Sequence, residues 1–413
     1  MALHNDLTWA EGVTRVPYWL YNDDNVAKRE QASIFEGPVW NFLCLDAEVP
    51  APGDYATTFV GEAPVIVARD LDGNIQAFEN RCAHRGALLC FKSHGNTKQI
   101  SCIYHNWTYD LKGNLTGVTF QKGIKGKGGM PPEFDRGEHA LRRLHVGNIG
   151  GILFGTFSDK APPLETYLGP EIVGRIKRVM RAPVKVLGYF DQALPNNWKI
   201  YMENVKDPYH ASLLHTFFTT FRINRLSQPG GIIIDNQHTG HHVSYSMIEH
   251  GANKMSASEY DKTELRARKE NYRLADPSVL DGVDEFGDGI TLQILSVFPN
   301  FILQQIQNAL AVRKVLPQGL EKSNLVWTHF GFVDDDDKMT QTRIKQSNLV
   351  GPAGFISMED GVVGGFVQRT VPGAGGRMEV VEMGGHGMAS QDTRATEAPL
   401  RGYWKMYREL MAI

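Results

Sequence analysis

The chain has 413 residues, 42% of them apolar and 22% charged, with 43 Lys and Arg against 46 Asp and Glu for a formal charge of -3. That is the composition of a folded globular protein with room for two or three domains, and it excludes intrinsic disorder. Near-neutrality offers no basic face for sequence-independent binding to nucleic acid, and no apolar run approaches the ~20 residues of a membrane helix.

The opening, MALHNDLTWAEG, lacks the basic and apolar regions of a signal peptide, so a cytoplasmic protein with reduced thiols is expected. After a polar arm (1–38), alternation predicts strands at 39–45 and 64–80, the latter a hairpin about the DLDGN turn. More strand-like pieces at 100–117 and 144–157 flank a Gly/Lys loop at 123–132, so 39–158 reads as an all-β domain. From 159 to 413 the pattern is α+β. A helix is predicted around 164–180 and helical spacing over 198–221. GGIIID, HHVSYSMI, 290–317 and NLVWTHFGFV read as strands of one large antiparallel sheet flanked by helices. The acidic run Asp334–Asp337 reads as a solvated turn before a helix, and VPGAGGR (371–377) as a surface loop before a last helix.

Two constellations carry chemistry. Cys82 and His84 stand in NRCAHRG, and Cys102 and His105 stand in CIYHNW. Two thiolates and two imidazoles suit either a structural zinc ion or a Rieske [2Fe-2S] cluster, in which both histidines bind one iron. Zinc fingers group cysteines with cysteines. Here each loop carries one of each kind, the arrangement that puts both sulfurs on one iron. Cys44 and Cys90 sit in apolar contexts and read as buried thiols.

The second is NVKDPYHASLLH, with Asp207, His210 and His215. Five residues turn an ideal helix by about 500°, so the two imidazoles share a face only across a kink or a π-type turn. An electron-transfer cluster followed by Asp-x2-His-x4-His resembles the α subunit of Rieske non-haem iron aromatic-ring-hydroxylating oxygenases. The resemblance extends over nearly the whole chain, through VPYWLY, ENRCAHRGALL, 196–221, 292–313 and GPAGFISMEDGVVGGFVQR.

The resemblance implies a mononuclear ferrous site of His210, His215 and a distant carboxylate, Asp360, with adjacent Glu359 as the competing candidate. It implies that Asp207 is a bridging acid between iron ligand His210 and the Rieske ligand His105 of a neighbouring subunit, a role compatible with a helix-capping one. It further implies an α3β3 assembly with a small β subunit, α3 being the alternative. Electrons from NADH would come through a separate reductase, as the chain has no Gly-x-Gly-x-x-Gly fingerprint. Lys122, Lys125 and Lys127 read as a docking patch for it or a solvated loop. The nearest resemblance is to members that oxidise terephthalate with O2, with those acting on anthranilate, salicylate and halobenzoates slightly further off. All take aromatic carboxylates. Arg313 interrupts an apolar run, where a guanidinium is costly unless an anion meets it. By resemblance, Arg313 and Arg394 hold substrate carboxylates and Ser246 donates a hydroxyl. The alternatives are an internal ion pair, a surface residue and an ordinary sheet hydroxyl, respectively.

Overall fold

Alternation in the first third of the chain is realised as three small antiparallel sheets within one unit, Phe35–Leu164. The computed structural model describes Trp9 and residues 12–221, 223–247 and 272–413. Strands Ile75–Glu79, Ala63–Arg69, Asp54–Val60 and His94–Asn96 form one sheet in that order. His145–Ile149, Ile152–Thr156 and Asn41–Leu45 form the second. The stretch read as strand over 100–117 is cut into Ile100–Ser101, Thr108–Tyr109 and Leu115–Gly117. A loop leaves the ladder between the first two, and a tight turn separates the last two.

That turn repeats the chemistry of the DLDGN hairpin. Asp70 Oδ1 accepts from the N–H of Asp72 and Asn74, and Asp110 Oδ1 from the N–H of Lys112 and Asn114. Gly73 and Gly113 take the left-handed conformation each turn needs, at φ 90° and 83°. The core beneath holds Phe78, Trp107, Tyr109 and Leu111, together with Cys82 and Cys102.

The larger unit joins the segment up to Ile34 to Glu165–Ile413. Its seven-stranded antiparallel sheet comprises β1 (Val184–Leu194), β2 (Gly230–Ile234), β3 (His242–Met247), β4 (Ile290–Val297), β5 (Phe301–Ile306), β6 (Ala309–Pro317) and β7 (Ser323–Phe332), in the order β1-β7-β6-β5-β4-β3-β2. Ile248, the last residue of the expected strand 241–248, lies outside the described residues. The run 290–317 is three strands, and Gln307, at φ 52°, turns β5 into β6. β5 and nearly all of β6 are buried on both faces, which is why their sequence reads as continuous and not alternating.

The expected helix over 164–180 splits into Leu164–Leu168 and Pro170–Val179 at Gly169, which has φ 77°. The helical spacing over 198–221 is spread over α1 (Trp198–Lys206), α2 (Ala211–Leu214) and α3 (Thr216–Thr220). Asp334–Asp337 is more than a solvated turn. Asp336 caps α4 (Asp337–Val350) by accepting from Met339 N–H at 2.7 Å. Asp335 Oδ2 lies 2.7 Å from Nε of fully buried Arg343, whose Nη2 lies 2.7 Å from Glu285 Oε1. After α5 (Phe355–Thr370) and a single 3-10 turn at 371–373, the chain ends on α6 (Ala398–Met411). α5 approaches the end of β1 closely because of its glycines: a Cβ on Gly364 would lie 2.5 Å from Asn196 Nδ2. Among the described residues no helix is long and apolar enough to cross a membrane.

Tyr21 Oη lies 2.8 Å from Glu203 Oε2 and 3.1 Å from Glu379 Oε2, and Trp404 Nε1 donates to Glu203 Oε1 at 2.7 Å. Burial pushes both carboxyls up, Glu379 to about 7, with hydrogen bonds from Glu203 and Tyr21 holding it back. A carboxyl whose pKa rises on folding stabilises the fold below its unfolded value, and that contribution is lost as pH climbs through the folded one. Glu379→Gln keeps the neutral form. Its stability relative to wild type should therefore improve by about 1–2 kcal/mol between pH 4.5 and about 7, discounted for the partial exposure of Glu379. Thermal melts across that window would show the trend, and a difference that does not vary with pH would refute it.

Candidate active site

The two Cys/His loops differ by one residue in spacing yet share one hydrogen-bond scheme. Cys82 N–H donates to Ala87 O at 2.8 Å while Cys82 O accepts from Gly86 N–H at 2.9 Å. Cys102 N–H donates to Trp107 O at 2.8 Å while its O accepts from Asn106 N–H at 2.9 Å. Each loop closes on a left-handed residue, Gly86 at φ 72° and Asn106 at φ 53°. Both sulfurs are buried within the core, and burial raises the Cys82 thiol. The imidazoles of His84 and His105 meet with centroids 4.5 Å apart, and His84 stacks on Trp107 at 4.7 Å.

The Nδ1 atoms of both histidines are buried without a hydrogen-bond partner. Orphaned buried nitrogens are costly, and two of them on the same loops as a pair of buried thiols fit a [2Fe-2S] group that takes two sulfur and two nitrogen ligands. Tyr109 Oη, 3.4 Å from Cys82 Sγ, also accepts from Ala83 N–H at 3.1 Å, fixing the first loop. Cys44 and Cys90 are buried thiols apart from this group, Cys90 pushed up to about 11 by burial.

The second constellation comes together through helix breaks, without a π-type turn. α1 ends at Lys206; Asp207 is extended (φ -99°, ψ 92°) ahead of Pro208, which disfavours helix in the residue before it. His215 is again extended, at φ -81° and ψ 102°, between α2 and α3. The break turns His215 toward His210, their centroids 5.4 Å apart. Both rings point at one atom: Asp360 Oδ1 lies 3.4 Å from His210 Nε2 and 3.3 Å from His215 Nε2. One ligand atom from each of the three residues falls within 4.8 Å of the others, close enough to share a metal ion. A two-histidine, one-carboxylate face leaves coordination positions open for small molecules.

Groups behind these three fix their orientation. Asn204 Nδ2 donates to Asp360 Oδ1 at 3.1 Å. Glu359 Oε2 is 2.8 Å from His215 Nδ1, so of the two neighbouring carboxylates Asp360 meets the imidazoles' front and Glu359 the back of one. Asp207 Oδ2 lies 3.4 Å from His210 Nδ1, within ion-pair range but not aligned for a hydrogen bond. Asp207 Oδ1 accepts from Tyr209 N–H at 2.9 Å and His210 N–H at 3.3 Å, which braces the turn between α1 and α2; the residue at the N-cap of α2 is His210, not Asp207. Burial opposes charge on His210, but Asp207 and Asp360 outweigh it and raise the imidazole to about 10. Burial likewise opposes charge on Asp360, and the two histidines hold it far below the usual carboxylate range. Such a site holds strong positive charge readily, and a divalent cation satisfies the same acceptors.

A pocket opens beside this group, and Arg313 and Arg394 both line it. Arg313, from β6, donates to Tyr201 Oη at 3.3 Å and lies over the Trp327 ring at 4.8 Å. Among the described residues no carboxylate forms an ion pair with it. Arg394 is 2% exposed, not a surface residue. It donates to Asn224 Oδ1 and to the carbonyls of Arg225 and Gln228. Phe218, Leu292, Ile294 and Ile356 supply apolar wall. Ser246 is not among the lining residues. Ser244, two positions earlier on the same face of β3, is. Sequence reasoning missed Asn204, Ser244 and Gln304. Strand register could have exposed Gln304, whereas only the reach of the pocket along β3 separates Ser244 from Ser246.

Residues 39–126 match the Rieske [2Fe-2S] domain family, and residues 176–412 match the ring hydroxylating alpha subunit catalytic domain. The chain is 56% identical over 398 residues to a terephthalate 1,2-dioxygenase terminal oxygenase component subunit alpha 2 of Comamonas sp., spanning 96% of this chain and 95% of that one. It is 44% identical to an anthranilate 1,2-dioxygenase large subunit of Burkholderia cepacia, spanning 96% and 93%. The crystal structure of naphthalene 1,2-dioxygenase from Rhodococcus sp. bound to indole is similar in fold, with a TM-score of 0.78 at 23% identity, over 96% of this chain and 94% of that one.

The geometry separates the two neighbouring carboxylates experimentally. In protein stripped of mononuclear metal, Asp360→Ala should abolish measurable binding of cobaltous ion, followed by its visible absorption. Glu359→Gln should weaken it by about 10- to 100-fold. Equal losses would make Glu359 a ligand.

Proposed function

The chain belongs to the ring-hydroxylating oxygenase α-subunit family, with a Rieske domain and a catalytic domain, and from that premise we propose that it is the terminal oxygenase subunit of a terephthalate 1,2-dioxygenase. The reading rests on one observation: two buried guanidinium groups, Arg313 and Arg394, line the same pocket as the His210, His215 and Asp360 group. Two cations in one apolar pocket suit a dianion with a carboxylate at each end, and the 56% identity to the Comamonas protein supports the same substrate. The product is the cis-dihydrodiol dicarboxylate.

In this reading Cys82, His84, Cys102 and His105 hold the [2Fe-2S] cluster, and His210, His215 and Asp360 hold ferrous iron. When bound, these groups deliver electrons singly and activate dioxygen beside the ring. The chain's own residues do the rest. The arginines fix the ring by its carboxylates, and the apolar wall keeps water out. Glu359 and Asn204 keep the ligands in register, and Asp207 sets a negative charge 3.4 Å from His210 Nδ1.

Electrons would originate from NADH through a separate reductase, and the His105 of one copy would meet the Asp207 of the next, a contact linking the residues that would hold the cluster to those that would hold the iron. Exposed apolar side chains favour such an assembly: Ile103, Tyr104 and Phe120 surround His105, while Phe355, Met358, Val362 and Phe366 form a stripe along α5. Head-to-tail pairing of unlike patches closes into a ring, here an α3 core with a small β subunit on each chain.

A second reading has one specific observation behind it. Arg394 already donates to three acceptors. If that engagement is purely structural, the pocket has a single clamp and takes a monocarboxylate such as anthranilate, salicylate or an ortho-halobenzoate. Product analysis with terephthalate, anthranilate, salicylate and 2-chlorobenzoate, in the presence of a β subunit and a reductase, separates the two. Dihydrodiol from terephthalate alone is the expected result; turnover of an ortho-substituted acid with terephthalate inert would overturn the assignment. Arg313→Ala and Arg394→Ala should each lower kcat/KM for terephthalate by about hundredfold or more while leaving iron content unchanged, since each leaves one carboxylate without its cation. A loss confined to Arg313→Ala would favour the single clamp.

A further inference from the structure

The pocket floor is one face of the large sheet, and its register orders the side chains there. Directly paired residues point to the same face, as do residues two apart on a strand. One row across the sheet runs Ser244, Ile294, Gln304, Ala311, His329. The row on one side includes Ile302, Arg313 and Trp327, and the row on the other includes Leu292 and Ile306. Gln304 is thus a diagonal neighbour of Arg313, and both line the pocket.

Gln304 is 2% exposed, and its Nε2 is buried without a hydrogen-bond partner. Its direct neighbours across the sheet, Ile294 and Ala311, have no side-chain acceptor to offer. Arg313 repeats the situation, because its Nε is also buried and unpartnered while Nη1 is engaged by Tyr201. Burial of an unmet donor is unfavourable, and two of them on adjacent rows of one pocket floor call for a common acceptor. Diagonal positions on a sheet stand about 7–8 Å apart, a gap that two long side chains span from either side of a planar acceptor.

We propose that Gln304 is a specificity-determining residue whose side-chain amide donates to the same substrate carboxylate that Arg313 binds, one donor to each oxygen. The inference rests on the aromatic-carboxylate reading of the pocket and deepens it. One end of the pocket then combines a cation with a neutral, directional donor. Such a pair recognises the plane of a carboxylate as well as its charge, and so fixes the rotation of the ring.

The test is calorimetric binding of terephthalate to the fully loaded oxygenase without reductant. Gln304→Leu preserves size and removes the donor; it should weaken binding by about tenfold or more, and Gln304→Glu, which sets a carboxylate against a carboxylate, by more. Gln304→Met guards against a packing fault in the leucine variant, and unchanged cluster absorption and melting temperature certify both. The Gln304→Leu effect should largely vanish in an Arg313→Ala background and persist in an Arg394→Ala background. Unchanged affinity in Gln304→Leu, or coupling to Arg394 and not to Arg313, would overturn the proposal. If Arg313→Ala weakens binding and Gln304→Leu does not, only the role of Gln304 fails. If Arg313→Ala binds terephthalate as wild type does, the carboxylate reading of the pocket itself fails.

Discussion

Two imidazoles converge on a single carboxylate oxygen, Asp360 Oδ1, and much of the larger unit is arranged to make that convergence possible. Imidazoles five residues apart do not face each other on a continuous helix. The helix therefore stops at Lys206, and the chain extends at Asp207 and again at His215. The carboxylate must come from another element brought close, which the small residues of α5 permit. The open side of the group then faces a sheet whose floor carries few polar side chains, each in a definite row.

The chemistry-bearing residues were legible because metal ligands are few in kind and their spacing is constrained. Cys82, His84, Cys102, His105, His210 and His215 announce themselves by type, and the small β domain by its alternation. The path between them was less legible. Helical spacing over 198–221 conceals two breaks, since the apolar periodicity of the short helices carries on across an extended residue. Asp335 read as solvated because its partner Arg343, though only 8 residues on, is buried by the fold and shared with Glu285 from a distant segment. Ser246 and Ser244 are indistinguishable in composition, and only the reach of the pocket along β3 separates them.

The pocket residues illustrate why substrate chemistry is harder to read than cofactor chemistry. Arg313 stood out because a charge in an apolar run is anomalous. Gln304 did not, because glutamine in a strand passes for ordinary polarity until the register shows what surrounds it. A buried donor becomes informative only when its neighbours are known to lack acceptors, and that is a tertiary fact.

Glu359 and Asp360 occupy consecutive positions on α5, and a helix turns by about 100° per residue. One therefore reaches the front of the imidazole pair and the other the back of His215. Their division of labour depends on helical phase as much as on chemical identity. Inserting or deleting one residue in the first turn of α5 would rotate both acids away from their partners together, whereas many single replacements elsewhere in that turn leave both in place. This stretch of the chain is consequently far more tolerant of drift in composition than of drift in length.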